Sequence, residues 1–194
     1  MGRMKKKIKI KFNSPVVLTF VAVCFVALLL SYLTNGYTNV LLFSVYRSSP
    51  TNPLFYVRLI GHIFGHANWS HFFNNMLYIL ILGPMLEEKY GASNMIIMIA
   101  LTGIVTGLVS LLFFSSQMLL GASGVVFAFI ILSSITSVKD GEIPVTFLLV
   151  AVIYIGGQIV DGLTIRDNVS NLTHIVGGMV GAGCGMALNG IGSK

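Results

Sequence analysis

Charge is what this sequence has least of. Twelve Lys and Arg and six Asp and Glu make up 9% of its 194 residues, where a soluble globular domain carries about 25%. With 55% hydrophobic residues and a mean hydropathy of +0.88, the chain cannot cover a water-facing surface, which excludes a soluble domain and points to an integral membrane protein. Cysteine is nearly as scarce. Cys24 and Cys184 sit within apolar runs, where a free thiol behaves as a small buried hydrophobe, so neither a disulfide framework nor a thiolate metal centre is expected. The scarcity of acid matters most. Glu87, Glu88, Asp140, Glu142, Asp161 and Asp167 all fall in connecting segments, so no apolar run carries a carboxylate.

A bilayer crossing needs about 20 mostly apolar residues, and length favours one domain. Hydropathy and turn signals predict six crossings, at Pro15–Leu33, His71–Leu86, Asn94–Phe114, Leu120–Val138, Ile143–Val160 and Leu172–Asn189. The second is short for a crossing, which implies a tilt or an earlier start. Between them lie Thr34–Ser70, rich in Asn, Ser and Pro, then Glu87–Gly91, Ser115–Gln117, Lys139–Glu142 and Asp161–Ser170.

With the N-terminus inside, nine cations (Arg3, Lys5, Lys6, Lys7, Lys9, Lys11, Lys89, Lys139, Lys194) fall on the cytoplasmic side, against Arg47, Arg58 and Arg166 outside. That is the positive-inside bias, and it puts both termini in the cytoplasm. The expected organisation is a basic cytoplasmic tail over 1–14 and a single six-helix membrane domain over 15–194. Most of the net charge of +6 sits in the tail, which reads as a topology determinant touching anionic lipid head groups rather than a nucleic-acid-binding arm. The first apolar run is too long for a cleaved signal peptide and reads as a retained anchor.

Polar residues inside crossings are costly and usually functional. His71 and Asn75 are i and i+4 on one helix face, Ser123 stands in Gly121-Ala122-Ser123-Gly124, and His174 opens the last crossing. The second, fourth and sixth crossings run in the same direction, so all four residues share one depth in the outer part of the bilayer. A serine nucleophile and a histidine base must approach within about 3 Å. Gly177, Gly178, Gly181 and Gly185 form a small-residue stripe on the side of His174 that permits this approach. Gly121 and Gly124 clear room around Ser123. The Ser123 amide, in the first helical turn, joins donors from Asn75 and His71 as a candidate oxyanion hole. With no carboxylate in the outer half-crossings, a Ser-His dyad is expected rather than a triad.

The chemical rival is a metal site. His62, His66, His71 and His174 are all the histidines, and His62 and His66 are i, i+4 if helical; zinc helices, however, carry Glu after the first His, and Ile63 stands there. No metal or cofactor is expected. The bland role for His62 and His66 is hydrogen bonding that stiffens the loop before the second crossing.

As a set, Arg58-x3-His62-x3-His66-x4-His71-x3-Asn75, Glu87-x3-Gly91, Gly121-Ala122-Ser123-Gly124 and His174-x2-Gly177-x3-Gly181 resemble the rhomboid intramembrane serine proteases, in their six-span bacterial form. The resemblance implies an all-α six-helix bundle with both termini inside. It also implies Ser123 as nucleophile, His174 as general base and acid, and His71, Asn75 and the Ser123 amide as oxyanion donors. Phe127 matches the aromatic position packed on the catalytic imidazole, and Arg58 and Glu87 match structural positions. Val57 departs from the family's usual Trp and Thr173 from its usual Ala. The implied protein is a multi-pass endopeptidase of the bacterial plasma membrane, with its site open to the extracytoplasmic side. Its partners would be the bilayer and membrane-protein substrates whose crossing segment is helix-destabilised. They would enter beside the fifth crossing, under a lid formed by Asp161–Ser170. A silent relative that only binds membrane helices is the alternative within the fold.

Overall fold

The computed structural model describes residues 12–114, 116–135, 145, 149, 152, 153, 156 and 168–191. Its long elements are helices: α1 (Pro15–Leu33), α2 (Tyr37–Leu41), α3 (Pro53–Gly61) running into a 3-10 turn (His62–Phe64), α4 (Trp69–Tyr90), α5 (Ala92–Phe113), α6 (Ser123–Ile135) and α7 (Asn168–Ile191). No β-strand occurs among the described residues; an isolated antiparallel bridge joins Val45 to Leu119.

Local chemistry sets the ends of these helices. Pro53 opens α3 behind Asn52, whose side chain accepts from the Leu54 amide at 3.0 Å, and Asn68 caps α4 by accepting from the His71 amide at 2.9 Å. Gly91, at φ 81°, closes α4 in a conformation costly for other residues, and α5 starts at the next position. The start of α1 is capped from elsewhere in the chain. Ser14 makes no side-chain cap there, and the buried Glu87 carboxylate at the far end of α4 accepts from the Val16 and Val17 amides, both at 3.0 Å. An anion at a helix N-terminus meets the positive end of the helix dipole, so this contact ties α1 to α4.

The core joins Val17, Phe20, Cys24 and Leu28 of α1 to Phe72, Met76, Ile79 and Leu86 of α4, Met95 and Met98 of α5, and Val125, Phe129 and Leu132 of α6. Helix α6 lies at the centre. Eight of its thirteen residues are buried, and it packs most closely against α7. Outward, the surface remains apolar, with Leu33 and Leu112 about four-fifths exposed. Helices α1 (19 residues) and α5 (22 residues) are long and apolar enough to cross a bilayer, and α6 is a shorter apolar helix.

The first helix has the limits read from the sequence, and α4, α5 and α7 lie within four residues of theirs at each end. Helix α4 does start earlier, at Trp69. Two features differ. The segment Thr34–Ser70, read as a connection, holds α2, α3 and the 3-10 turn. Helix α6 starts at Ser123 rather than Leu120, because Leu119 is paired with Val45 (N–O distances of 2.9 and 3.0 Å) and the Gly121 amide is bonded to the His62 carbonyl at 2.9 Å. The expected tail segment Met1–Lys11, most of the fifth crossing Ile143–Val160, and residues 161–167 of the expected lid lie outside the described residues.

Candidate active site

The Ser123 turn is held by backbone bonds on both sides. The first bond within α6 runs from the Val126 amide to the Ala122 carbonyl at 3.0 Å, so the amides of Ser123, Gly124 and Val125 precede it and have no acceptor inside the helix. Gly121, at φ 130°, turns the chain into α6. A Cβ on Gly121 would lie 2.8 Å from both Cε1 and Nε2 of His71 and 3.8 Å from Nδ2 of Asn75. Only a bare backbone passes between Ser123 and these two side chains.

On the α4 side, Asn75 is 6% exposed and its Nδ2 carries no hydrogen-bond partner among the described residues. A buried, unspent amide donor costs roughly 1–3 kcal/mol and calls for an explanation. His71 receives the Ala67 amide at Nδ1 over 3.5 Å, a long contact that favours the tautomer with its proton on Nε2, the atom beside Gly121.

Helix α7 reaches Ser123 because its glycines leave no side chain at the contact. A Cβ on Gly177 would run into the Gly124 carbonyl oxygen, and one on Gly181 into that of Ala128; on Gly185 it would stand 2.9 Å from Leu132 Cδ1. From the other flank, a Cβ on Gly124 would meet Thr106 Cγ2 of α5 at 3.1 Å. His174 then lies over Phe127, one turn after Ser123, with ring centroids 4.4 Å apart and planes within 8°. Ser123, His174, His71, Asn75 and Phe127 all line one cavity of about 280 Å³, together with Asn74, Tyr78 and Leu119. A half-buried nucleophile candidate, an imidazole and amide donors around one small hollow have the makings of an acyl-transfer site.

A family model for the rhomboid domain matches residues 54–190. The chain belongs to the rhomboid family. It is similar to Rhomboid-like protein 11, chloroplastic, of Arabidopsis thaliana, with 26% identity over 144 residues, which is 66% of this chain and 51% of that protein. The chain thus spans about half the length of this relative. The family match and the apolar helices together mark a membrane protein, and all the residues around the rhomboid cavity fall inside the match.

Two polar residues of the cavity wall were not singled out in the sequence. Asn74 and Tyr78 lie three and seven positions after His71; helical periodicity puts them on its face of α4, the one signal that could have found them. His66 is fully buried and sets its ring edge-on to His71, centroids 5.1 Å apart. His62 holds the Gly121 amide through its carbonyl, while its ring nitrogens meet the Leu59 carbonyl at 3.1 Å and the Thr106 hydroxyl at 3.4 Å. The two do not share a helix face, since His62 is in the 3-10 turn and His66 follows the extended Gly65. Burial pushes both imidazoles down to about 4, so they are neutral near pH 7. No group of three or more His, Cys, Asp or Glu side chains is placed to hold a metal ion among the described residues.

Arg58, buried, donates from Nη1 to the Tyr46 hydroxyl at 2.7 Å and from Nη2 to Ser48 Oγ at 2.8 Å, and its guanidinium stands 4.4 Å over the Tyr46 ring. Val45, next to Tyr46, is the residue paired with Leu119. Arg58 therefore braces the segment against which the Ser123 loop is hung.

Proposed function

We propose that this rhomboid is an intramembrane serine endopeptidase that cuts crossing or membrane-proximal segments of other membrane proteins through a Ser123–His174 dyad. The observation that carries the reading is the single cavity lined by Ser123, His174, His71 and Asn75. Ser123 Oγ attacks the scissile carbonyl carbon while His174 takes its proton. The carbonyl oxygen, now negative, receives the Ser123 amide, Asn75 Nδ2 and His71 Nε2–H. Collapse of the tetrahedral adduct breaks the C–N bond as His174 returns the proton to the leaving amine, and water hydrolyses the acyl-enzyme by the same steps. Phe127 fixes the plane of the imidazole, and Gly121, Gly124, Gly177 and Gly181 let the three helices meet.

The reading includes six crossings with both termini in the cytoplasm, as the nine-to-three distribution of cations favours. The tail 1–14 precedes one membrane domain, 15–194, in a bacterial cell membrane, and the cavity opens on the extracytoplasmic side. A stable substrate helix hides its carbonyls, so substrates carry helix-breaking Gly or Pro near the cut. The reaction requires no cofactor. A silent, helix-binding relative would have no need of an unspent Asn75 donor beside a serine.

The test is covalent labelling of the purified protein with a serine-reactive fluorophosphonate. The wild type takes up the label at Ser123 and Ser123→Ala does not, while both cleavage of a model membrane substrate and labelling vanish in His174→Ala. Equal labelling of the wild type and Ser123→Ala, or cleavage by Ser123→Ala, would reject the dyad.

A further inference from the structure

The cavity at Ser123 has two unlike walls. Every residue that α4 contributes to it, His71, Asn74, Asn75 and Tyr78, carries a hydrogen-bonding side chain, whereas Leu119, Leu120, Val126 and Ile130 make the wall of the Ser123 loop and α6 apolar. His71 and Asn75 serve the oxyanion in the proposed mechanism, which leaves Asn74 and Tyr78 without a part in it. Asn74 is exposed on a face of α4 where Phe73, Leu77 and Ile81 are each more than half exposed. An amide on such an apolar face of a membrane protein is costly, and Asn is a weaker helix former than Leu. No hydrogen bond occupies the side chain of Asn74 or of Tyr78 among the described residues. Both are open to a group that enters the cavity, Tyr78 being 40% exposed.

Spacing along α4 says which substrate residues they would meet. A helix rises about 1.5 Å per residue, so Asn74 lies about 4.5 Å and Tyr78 about 10 Å beyond His71, while an extended chain advances about 3.3 Å per residue. A substrate segment unwound along α4, with its scissile carbonyl at His71 and Asn75, therefore sets residues about one and three positions from that carbonyl against Asn74 and Tyr78. Those two point to the same side of an extended chain, and the residue between them points to the other, toward the apolar wall. Among the described residues no Lys, Arg, Asp or Glu lines the cavity, so nothing there would offset a charged substrate side chain, and the complementary group is neutral. Resting on the dyad reading for the place of the scissile bond, we propose that Asn74 and Tyr78 form a polar subsite. It selects substrates by a hydroxyl or amide side chain (Ser, Thr, Asn or Gln) next to the cut, with a second such preference two positions further along.

The test uses the full chain in detergent and a set of model membrane substrates that carry Val or Thr at each position close to the cut, on either side of it. The two residues have nearly the same shape and differ by a hydroxyl. At one position beside the cut the Thr substrate should show a kcat/KM about three- to tenfold above that of the Val substrate, the gain of one neutral hydrogen bond. Asn74→Leu should bring this ratio to about one by slowing the Thr substrate, and Asn74→Gln, which keeps the amide, should retain part of it. Tyr78→Phe should abolish the preference two positions further along and spare the first. Binding of the same substrates to Ser123→Ala, read by fluorescence anisotropy, should rank Thr above Val in the same way and so tests the subsite apart from the nucleophile. Equal handling of Thr and Val at every position, or a Thr preference that survives Asn74→Leu, overturns the subsite and leaves the dyad standing. Thr-selective binding that needs Asn74, without cleavage or labelling at Ser123, supports the subsite and overturns the dyad alone.

Discussion

Phe127 lies flat against His174, centroids 4.4 Å apart and planes within 8°, so the orientation of the proposed base is set by a ring from the helix that carries the proposed nucleophile. A rotation of the imidazole, or a shift of α7 that carries His174 away, therefore has to break the stack. An aromatic pair of this kind contributes about 0.5–1.5 kcal/mol beyond area burial. Phe127→Leu should lower kcat roughly three- to tenfold with KM little changed and the melting temperature down by a few degrees, and Phe127→Tyr should restore most of the rate. A loss confined to KM would make Phe127 a wall of the substrate cavity instead.

The Nδ2 of Asn75, buried and unpartnered among the described residues, makes a sharper forecast. If it serves the oxyanion, Asn75→Ala should cut kcat about ten- to a thousandfold and leave KM nearly alone, as loss of one transition-state donor does in other hydrolases. Asn75→Asp, which puts a negative charge beside the developing oxyanion, should do more damage than Ala. Steady-state kinetics on one model substrate separate these outcomes.

At Gly121 the φ of 130° and the His71 ring, 2.8 Å from where a Cβ would stand, both oppose substitution. Gly121→Ala is expected to displace the Ser123 amide and His71 together. Activity should fall by two orders of magnitude or more, about the loss of one oxyanion donor, and the melting temperature should also drop. An Ala variant with normal kinetics would mean that this turn does not shape the site.

How much of this was legible in the sequence follows from what each feature depends on. Helix positions rest on local apolarity, so the limits of α1 could be read directly. The four polar site residues stand out because they interrupt apolar runs, and the family resemblance, carried by the same residues, agrees with the domain match. What could not be read depends on contacts far apart in the chain. Examples are the Val45–Leu119 bridge that delays the start of α6, the His62 carbonyl that holds Gly121, and the edge-on His66 behind His71. Nothing local in Asn39 announces that its Nδ2 donates to the His66 carbonyl at 2.9 Å. The spacing from Arg58 to Asn75 marked candidate residues without showing what they touch.

Glu87 provides a prediction about stability alone. Its carboxylate accepts two amides at the start of α1, so Glu87→Gln removes the charge and one of the acceptors from a buried helix end. The expected cost is about 1–3 kcal/mol, read as a fall of several degrees in melting temperature. The pre-melting kcat should stay within about twofold, because a change at the far end of α4 does not alter the donors at the cavity. A large loss of kcat at unchanged stability would instead link this end of the bundle to the site.

The last prediction concerns the approach of α7 to α6. A Cβ on Gly181 would run into the Ala128 carbonyl oxygen and come within 2.7 Å of Ala128 Cα, whereas Ala187 is exposed on the other side of the helix. Gly181→Leu puts a branched side chain where backbone meets backbone, so α7 must move away and carry His174 with it. The variant should lose about 3 kcal/mol or more, toward the upper end of overpacking penalties, and its cleavage activity. Ala187→Leu, which installs the same side chain on the exposed side, should remain within about 0.5 kcal/mol of the wild type and fully active. Thermal denaturation in detergent and cleavage of a model substrate compare the two. Equal behaviour of the pair would mean that the glycine stripe is not what brings His174 to Ser123.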